Sequence, residues 1–181
     1  MSDALDSMPD TNIVLTGFMG CGKTTVGRLL ADNLSREFVD ADHEIERRHG
    51  KPVTEIFATL GEPEFRRLER EFIVDLCRGS REKIVSLGGG AFMQEEVRRA
   101  CLSTSIVVFL EIGWESWIQR HHLLIEGRPI LQNKSPEEVK ALFDARQAAY
   151  RLSHCTVRTD GLTPEAVADR IVRFAMTAGK R

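Results

Sequence analysis

A chain of 181 residues, 42% hydrophobic and 29% charged, suits one compact domain with a sizeable core and leaves no comfortable room for a second catalytic domain. Its formal net charge of −2 supplies no global positive field for nucleic acid, so any anion site must be local. Residues 1–10 are polar and acidic, with no apolar segment and no arginine, which argues against a secretory or transit leader. They read as a disordered tail ahead of a single domain over 11–181. The longest strongly apolar stretch, 106–110, is far too short to span a bilayer. The expectation is a cytoplasmic monomer with neither a membrane nor a nucleic-acid partner. Cys21, Cys77, Cys101 and Cys155 are widely spaced and form no C-x-x-C pair, so they read as reduced thiols rather than a zinc site or a disulfide framework.

The first predicted element is a short buried strand, Asn12–Thr16, an apolar run that leads directly into a glycine-rich loop. The loop, Gly17-Phe18-Met19-Gly20-Cys21-Gly22-Lys23-Thr24, fits G-x-x-x-x-G-K-[ST], in which backbone N–H groups, a lysine and a hydroxyl converge on nucleotide phosphates and their Mg²⁺. A helix over 24–34 follows, with Val26, Leu29, Leu30 and Leu34 at helical spacing, and its N-terminus adds a positive dipole end to the loop. Strand, loop and helix together point to an ATP site. Next come a strand at Glu37–Asp40 and helical pieces over 43–60, interrupted at Gly50-Lys51-Pro52. Pro63 sits where a first-turn proline is tolerated, and Phe65, Leu68, Phe72 and Leu76 form one stripe of a helix ending at Gly79. Residues 83–87 read as a third strand running into Gly88-Gly89-Gly90, and Ser105–Glu111 as a fourth. A helix over 114–120, a loop over 121–131, a helix over 136–152, a weak strand over 156–159 and a closing helix over 163–177 complete the order. Strands alternating with helices argue a parallel sheet covered on both faces, with its ligand site at the carboxyl ends of the strands.

Several polar residues fall where chemistry is done, and each has two readings. Asp40 and Asp42 stand two apart at a strand end, so an extended backbone sends both carboxylates from one face, roughly 6 to 7 Å apart. One then holds Mg²⁺ through water and the other accepts a hydroxyl proton; alternatively, Asp42 caps the following helix. Arg146 lies in the apolar series Val139, Leu142, Phe143, Ala149, Tyr150, and an inward arginine needs either a protein carboxylate or a ligand anion. Arg66 borders the Phe65 stripe with Glu69 one turn on, either steadied for a ligand or joined in a surface ion pair. Gly88, Gly89 and Gly90 either let a ligand approach the backbone closely or make a flexible turn. Arg128, ahead of Pro129, falls in a loop able to close over ATP. Cys21 either ionises easily among the converging N–H groups or is a small residue that fits the loop. Trp114 and Trp117 read as packing for the helix that leads to that loop.

Together these residues resemble the shikimate kinases, P-loop enzymes related in fold to the nucleoside monophosphate kinases. The matching pieces run from about Asn12 to Met176: GFMGCGKTTVGR from Gly17, DAD from Asp40, EIF from Glu55, GEPEFRRLE from Gly61, LGGG from Leu87 and RPIL from Arg128. The resemblance implies an α/β, three-layer P-loop kinase fold with a five-stranded parallel sheet flanked by helices. It implies transfer of the ATP γ-phosphoryl group to the 3-hydroxyl of shikimate in aromatic amino-acid biosynthesis, with Mg²⁺. It assigns ATP to Gly20, Cys21, Gly22, Lys23, Thr24 and Thr25, with Arg120 near adenine and Arg128 in a lid over about 119–131. Mg²⁺ falls to Thr24 with Asp40 behind it. The acceptor falls to Asp42 as candidate base, to Gly88, Gly89 and Gly90, and to Arg66 and Arg146 as the pair that grips a carboxylate. Thr159-Asp160-Gly161-Leu162 stands where some members carry an arginine beside adenine, so that contact is not carried over. Rival readings are a gluconate or nucleoside monophosphate kinase, and a non-catalytic sensor that keeps the fold.

Overall fold

The apolar runs become the strands of one sheet, because only a sheet covered on both faces can bury side chains that point alternately up and down. The computed structural model describes residues 8–119 and 134–178. Among these, the strands are β1 (Asn12–Thr16), β2 (Glu37–Asp40), β3 (Lys83–Ser86), β4 (Ser105–Glu111) and β5 (Cys155–Arg158). All pairs are parallel, in the order β2-β3-β1-β4-β5. The central strand β1 is buried throughout, with Ile13 opposite Ile84 on one side and Ile106 on the other.

Topology dictates where the helices go. Helix α1 (Lys23–Leu34) carries the chain from β1 past β3 to β2, whereas α2 (Ala41–His49) and α3 (Val53–Gly79) return it to β3 in the opposite direction. Helix α4 (Glu95–Thr104) then leads to β4, and α5 (Trp114–Ile118) and α6 (Pro136–Tyr150) lead on to β5. Right-handed crossovers therefore put α1 on one face and α2, α3 and α4 on the other. The packing agrees: α1 meets α7 (Pro164–Ala178), and α3 meets both α2 and α4. Connections leave β1 toward one face and β3 and β4 toward the other, so a crevice opens beyond their carboxyl ends. No helix of the described residues is long and apolar enough to cross a membrane.

Local breaks follow residue chemistry. Within α3, Gly61 has φ 82° and ψ 164°, a conformation that interrupts the helix and suits only a residue without a side chain, and Pro63 lies in the first turn of the segment that resumes. Helix α6 begins with a capping box, Ser135 with Glu138, and Pro136 in the first turn. The sequence pattern predicts no element between Gly90 and Ser105, where the structure has a 3₁₀ turn (Ala91–Met93) and α4. Helix α4 buries only Val97 and Cys101, too sparse a stripe to stand out among its charged neighbours. Residues 8–10, which the sequence pattern places in the tail, are tied to the domain: Arg36 donates to the carbonyls of Pro9 and Thr11 at 2.7 and 2.9 Å, and Glu82 N donates to Asp10 O at 3.1 Å.

The entry into β1 is held by a side chain. Asn12 is fully buried, its Oδ1 accepting from Lys83 N at 2.9 Å and its Nδ2 donating to Ser80 O at 3.1 Å. It thus satisfies two backbone groups at the start of β3. Asn12→Ala removes the side-chain acceptor of Lys83 N, while Ser80 O keeps its bond from Arg81 Nη1 at 2.9 Å, and is expected to cost about 1 to 3 kcal/mol, read as a lowered denaturant midpoint at unchanged m-value. A midpoint equal to wild type contradicts this role.

Candidate active site

The loop after β1 is shaped by its own backbone. Gly22 caps α1 with φ 98°, which only glycine adopts readily, and this directs the first turn of α1 at the crevice. Lys23 is buried, its Nζ donating to Gly17 O at 2.8 Å and Phe18 O at 3.1 Å. Gly20, Gly22, Thr24 and Thr25 line one side of a cavity of about 450 Å³, and Asp40, Asp42, Gly88 and Gly89 line the other. Cys21 is buried, and its Sγ lies 2.9 Å from where a Cβ on Gly17 would stand, so the thiol packs beneath the loop instead of facing the cavity. That supports the reading of Cys21 as a small residue that fits the loop.

The two aspartates are not on one extended strand. Asp40 ends β2 and is itself the N-cap of α2, its Oδ1 accepting from His43 N at 3.4 Å. Asp42 is already inside the first helical turn. The strand-spacing argument for Asp40 and Asp42, and the capping role for Asp42, are therefore both corrected. Asp40 is a favourable N-cap residue and Ala41 a strong helix former, so the helix starts earlier than its apolar stripe suggests. The second oxygen of Asp40 accepts from Thr24 Oγ1 at 3.0 Å, which joins the P-loop to β2.

The wall opposite the P-loop is organised around Gly88, Gly89 and Gly90, which closely approach different charged side chains. A Cβ on Gly88 would stand 2.6 Å from Asp42 Oδ1 and 2.7 Å from Glu69 Oε1; one on Gly90 would stand 2.5 Å from Arg66 Nη2. Gly89 lies between the P-loop, at Met19 N, and the guanidinium of Arg146. Arg66 pairs through Nη2 with the exposed Glu62 at 3.2 Å and also reaches inward. Its Nη1 meets Glu69 Oε2 at 2.6 Å, Glu69 is fully buried, and Gln94 Nε2 donates to the same oxygen at 2.9 Å. Arg146 is 7% exposed, lies over the Phe18 ring at 5.7 Å, and donates from Nη1 to Gly89 O at 3.2 Å. No carboxylate among the described residues pairs with it.

Trp117 is buried and donates from Nε1 to Met19 O at 2.8 Å, while Phe18 meets Trp117 and Phe143 edge-on. Helices α5 and α6 are thus fastened to the P-loop by aromatic contacts, and Trp117 is packing, as read from the sequence. Arg120, Arg128 and the lid at about 119–131 lie outside the described residues, apart from Gln119. Sequence reasoning missed Gln94 and the role of Tyr150, whose hydroxyl donates to Gly89 O at 2.5 Å. One signal was available for Tyr150: it is the chain's single tyrosine and lies one helical turn beyond Arg146.

Burial pushes the Glu69 carboxyl up to about 7, and the charge of Asp42 adds to this, while Arg66 and Gln94 pull it down. Folded Glu69 therefore holds its proton more tightly than the unfolded chain does, so its contribution is fully present below about pH 4.5 and is lost as pH rises through about 7. Glu69→Gln, which cannot ionise, is expected to gain stability relative to wild type between about pH 5 and about pH 8. A difference that does not change with pH in denaturant titrations contradicts the shift.

Comparison with known proteins fits this geometry. Residues 19–176 match the family model for shikimate kinase. The shikimate kinase of Geobacillus thermodenitrificans is 55% identical over 164 residues, covering 90% of this chain and 87% of that protein. That of Bacillus subtilis is 50% identical over 163 residues, covering 90% of this chain and 88% of that protein. Among solved structures, shikimate kinase from Acinetobacter baumannii in complex with shikimate is similar at a TM-score of 0.89 and 35% identity, over 97% of this chain and 98% of that one. Shikimate kinase from Aquifex aeolicus is similar at 0.79 and 32% identity, over 92% and 97%. With a family model spanning most of its length and relatives identical at half their positions, the chain belongs to the shikimate kinase family.

Proposed function

We propose that this chain transfers the γ-phosphoryl group of ATP to the 3-hydroxyl of shikimate, giving shikimate 3-phosphate and ADP in aromatic amino-acid biosynthesis. The observation that carries the reading is Arg146, a buried guanidinium that among the described residues meets no carboxylate, only the Gly89 carbonyl, the Tyr150 hydroxyl and the face of Phe18. An unpaired buried charge is costly, so the site is incomplete until an anion enters. A small carboxylic acid answers to that need, and Arg66, held by Glu69, supplies the second donor.

In this reading the exposed N–H groups of the P-loop and Lys23 hold the β- and γ-phosphates at the N-terminus of α1. Asp42 aligns the attacking hydroxyl and takes its proton as the new O–P bond forms and the bond to the β-phosphate oxygen breaks. Mg²⁺ fits the oxygen pair Thr24 and Asp40 at the cavity wall, since a hydroxyl and a carboxylate suit a hard ion. When bound, it supplies neutralisation of phosphate charge. Arg128 keeps, on family resemblance alone, the role of neutralising the transferring group, and Arg120 a place near adenine.

A coupled ADP-release assay separates the acceptors. Shikimate is expected to drive turnover, and gluconate and AMP to give only background; turnover with either of those instead of shikimate contradicts the proposal. Asp42→Asn is expected to lower kcat by about 10²-fold or more, and a near-wild-type kcat removes Asp42 from the base role. Arg66→Ala and Arg146→Ala each remove a charge-assisted contact worth about 1.5 to 3 kcal/mol, and are expected to raise the shikimate KM far more than the ATP KM. An unchanged shikimate KM in both places the carboxylate elsewhere.

A further inference from the structure

The Gly89 carbonyl accepts from two side chains on one face of α6: Arg146 Nη1 at 3.2 Å and, one turn later, Tyr150 Oη at 2.5 Å. The two bonds are unequal, the arginine's long and the tyrosine's short. Tyr150 is fully buried, with its ring stacked on Phe109 of β4 at 5.1 Å. Its phenol is fixed by the core and cannot follow a ligand. Arg146 ends in a guanidinium at the edge of the pocket and can. Burial holds the phenol's pKa above its ordinary value, although Arg146 opposes this, so the hydroxyl remains a donor at any working pH.

Gly89 is half-buried at the cavity wall, and a partly buried carbonyl that loses its donor costs up to about a hydrogen bond. If Arg146 were the sole donor to Gly89, turning toward a carboxylate would orphan that carbonyl, and the penalty would weaken binding. We propose that Tyr150 is a positioning residue for substrate binding: its hydroxyl keeps the Gly89 carbonyl satisfied, which frees Arg146 to take the carboxylate of the acceptor. This rests on the assignment of Arg146 to that carboxylate. Tyr150 acts through the Gly89 backbone that Arg146 leaves and through its own contact with the Arg146 guanidinium.

The test compares Tyr150→Phe, Arg146→Gln and the double variant by steady-state kinetics, with thermal midpoints measured alongside. Phenylalanine retains the stacking on Phe109, so removal of one neutral hydrogen bond is the intended change. Tyr150→Phe is expected to raise the shikimate KM about 3- to 10-fold with the ATP KM unchanged, and to add less than about twofold once Arg146 is gone. An unchanged shikimate KM, a parallel rise in the ATP KM, or an equal rise in both backgrounds overturns the proposal. Loss of the proposal alone leaves Arg146→Gln still raising the shikimate KM. An Arg146→Gln enzyme with unchanged shikimate KM instead removes the carboxylate assignment, and this proposal with it. Should Tyr150→Phe fold poorly, fluorotyrosine incorporation reports on Tyr150 alone, because the chain has one tyrosine. Saturating shikimate is expected to shift its fluorine resonance as Arg146 departs from the shared carbonyl, and no shift overturns the proposal.

Discussion

Three consecutive residues without side chains, Gly88, Gly89 and Gly90, let a stretch of backbone come within contact distance of Asp42, Glu69, Arg146 and Arg66 at once. Those groups come from three helices, α2, α3 and α6, and meet because the loop leaves β3 at the point where the crossovers diverge. A methyl group on Gly88 or Gly90 would occupy the place of a functional atom. The close approach also makes the backbone a working surface, since its carbonyl at Gly89 receives two side-chain donors.

Energetically the pocket around the glycine loop runs against folding. Among the described residues, Glu69 is buried with one oxygen satisfied twice and Oε1 without a hydrogen-bond partner, and Arg146 is buried with no carboxylate beside it. Each feature costs stability that an apolar residue would not. The donor side shows a milder form of the same tension, with the charge of Lys23 resting on Gly17 and Phe18 carbonyls. The core supplies the compensation: β1 and most of β4 are buried on both faces, and the aromatic cluster of Phe18, Trp114, Trp117 and Phe143 clamps α5 and α6 to the P-loop. Rigid packing behind a strained, charged pocket is what a site built to complete itself with a ligand requires.

Much of this was legible in the residues. Buried parallel strands are continuous apolar runs, and β1 and β4 announce themselves; the P-loop is legible because its glycines have fixed spacing. Helix α4 was not, since two buried residues in a charged segment make no clear period. The aspartates show a limit of another kind: Asp40 and Asp42 have the right spacing for one strand face, yet Ala41 turns the chain into α2 between them, and spacing does not reveal where a strand stops. The inward arginine was legible from its place in an apolar series, but whether Glu69 or a ligand answered each arginine was not, because partner choice is set by long-range packing. Arg66 took the glutamate and Arg146 did not. Tyr150 was read as core, and it is; its hydroxyl has a second task that only the position of the Gly89 carbonyl reveals.

On the proposed function, Gly90 orients Arg66 for shikimate without touching the nucleotide half of the shared cavity. Gly90→Ala tests it most directly, because Gly90 has φ −102° and ψ −13°, which alanine adopts without strain, while the added methyl would stand 2.5 to 2.8 Å from the Arg66 guanidinium. The side chain of Arg66 can move aside, so the fold is kept and the donor is displaced. Measured by calorimetry on the purified variant, ADP affinity is predicted to match wild type while shikimate affinity falls by about tenfold or more. Unchanged shikimate affinity, or equal loss of both ligands, would contradict the account.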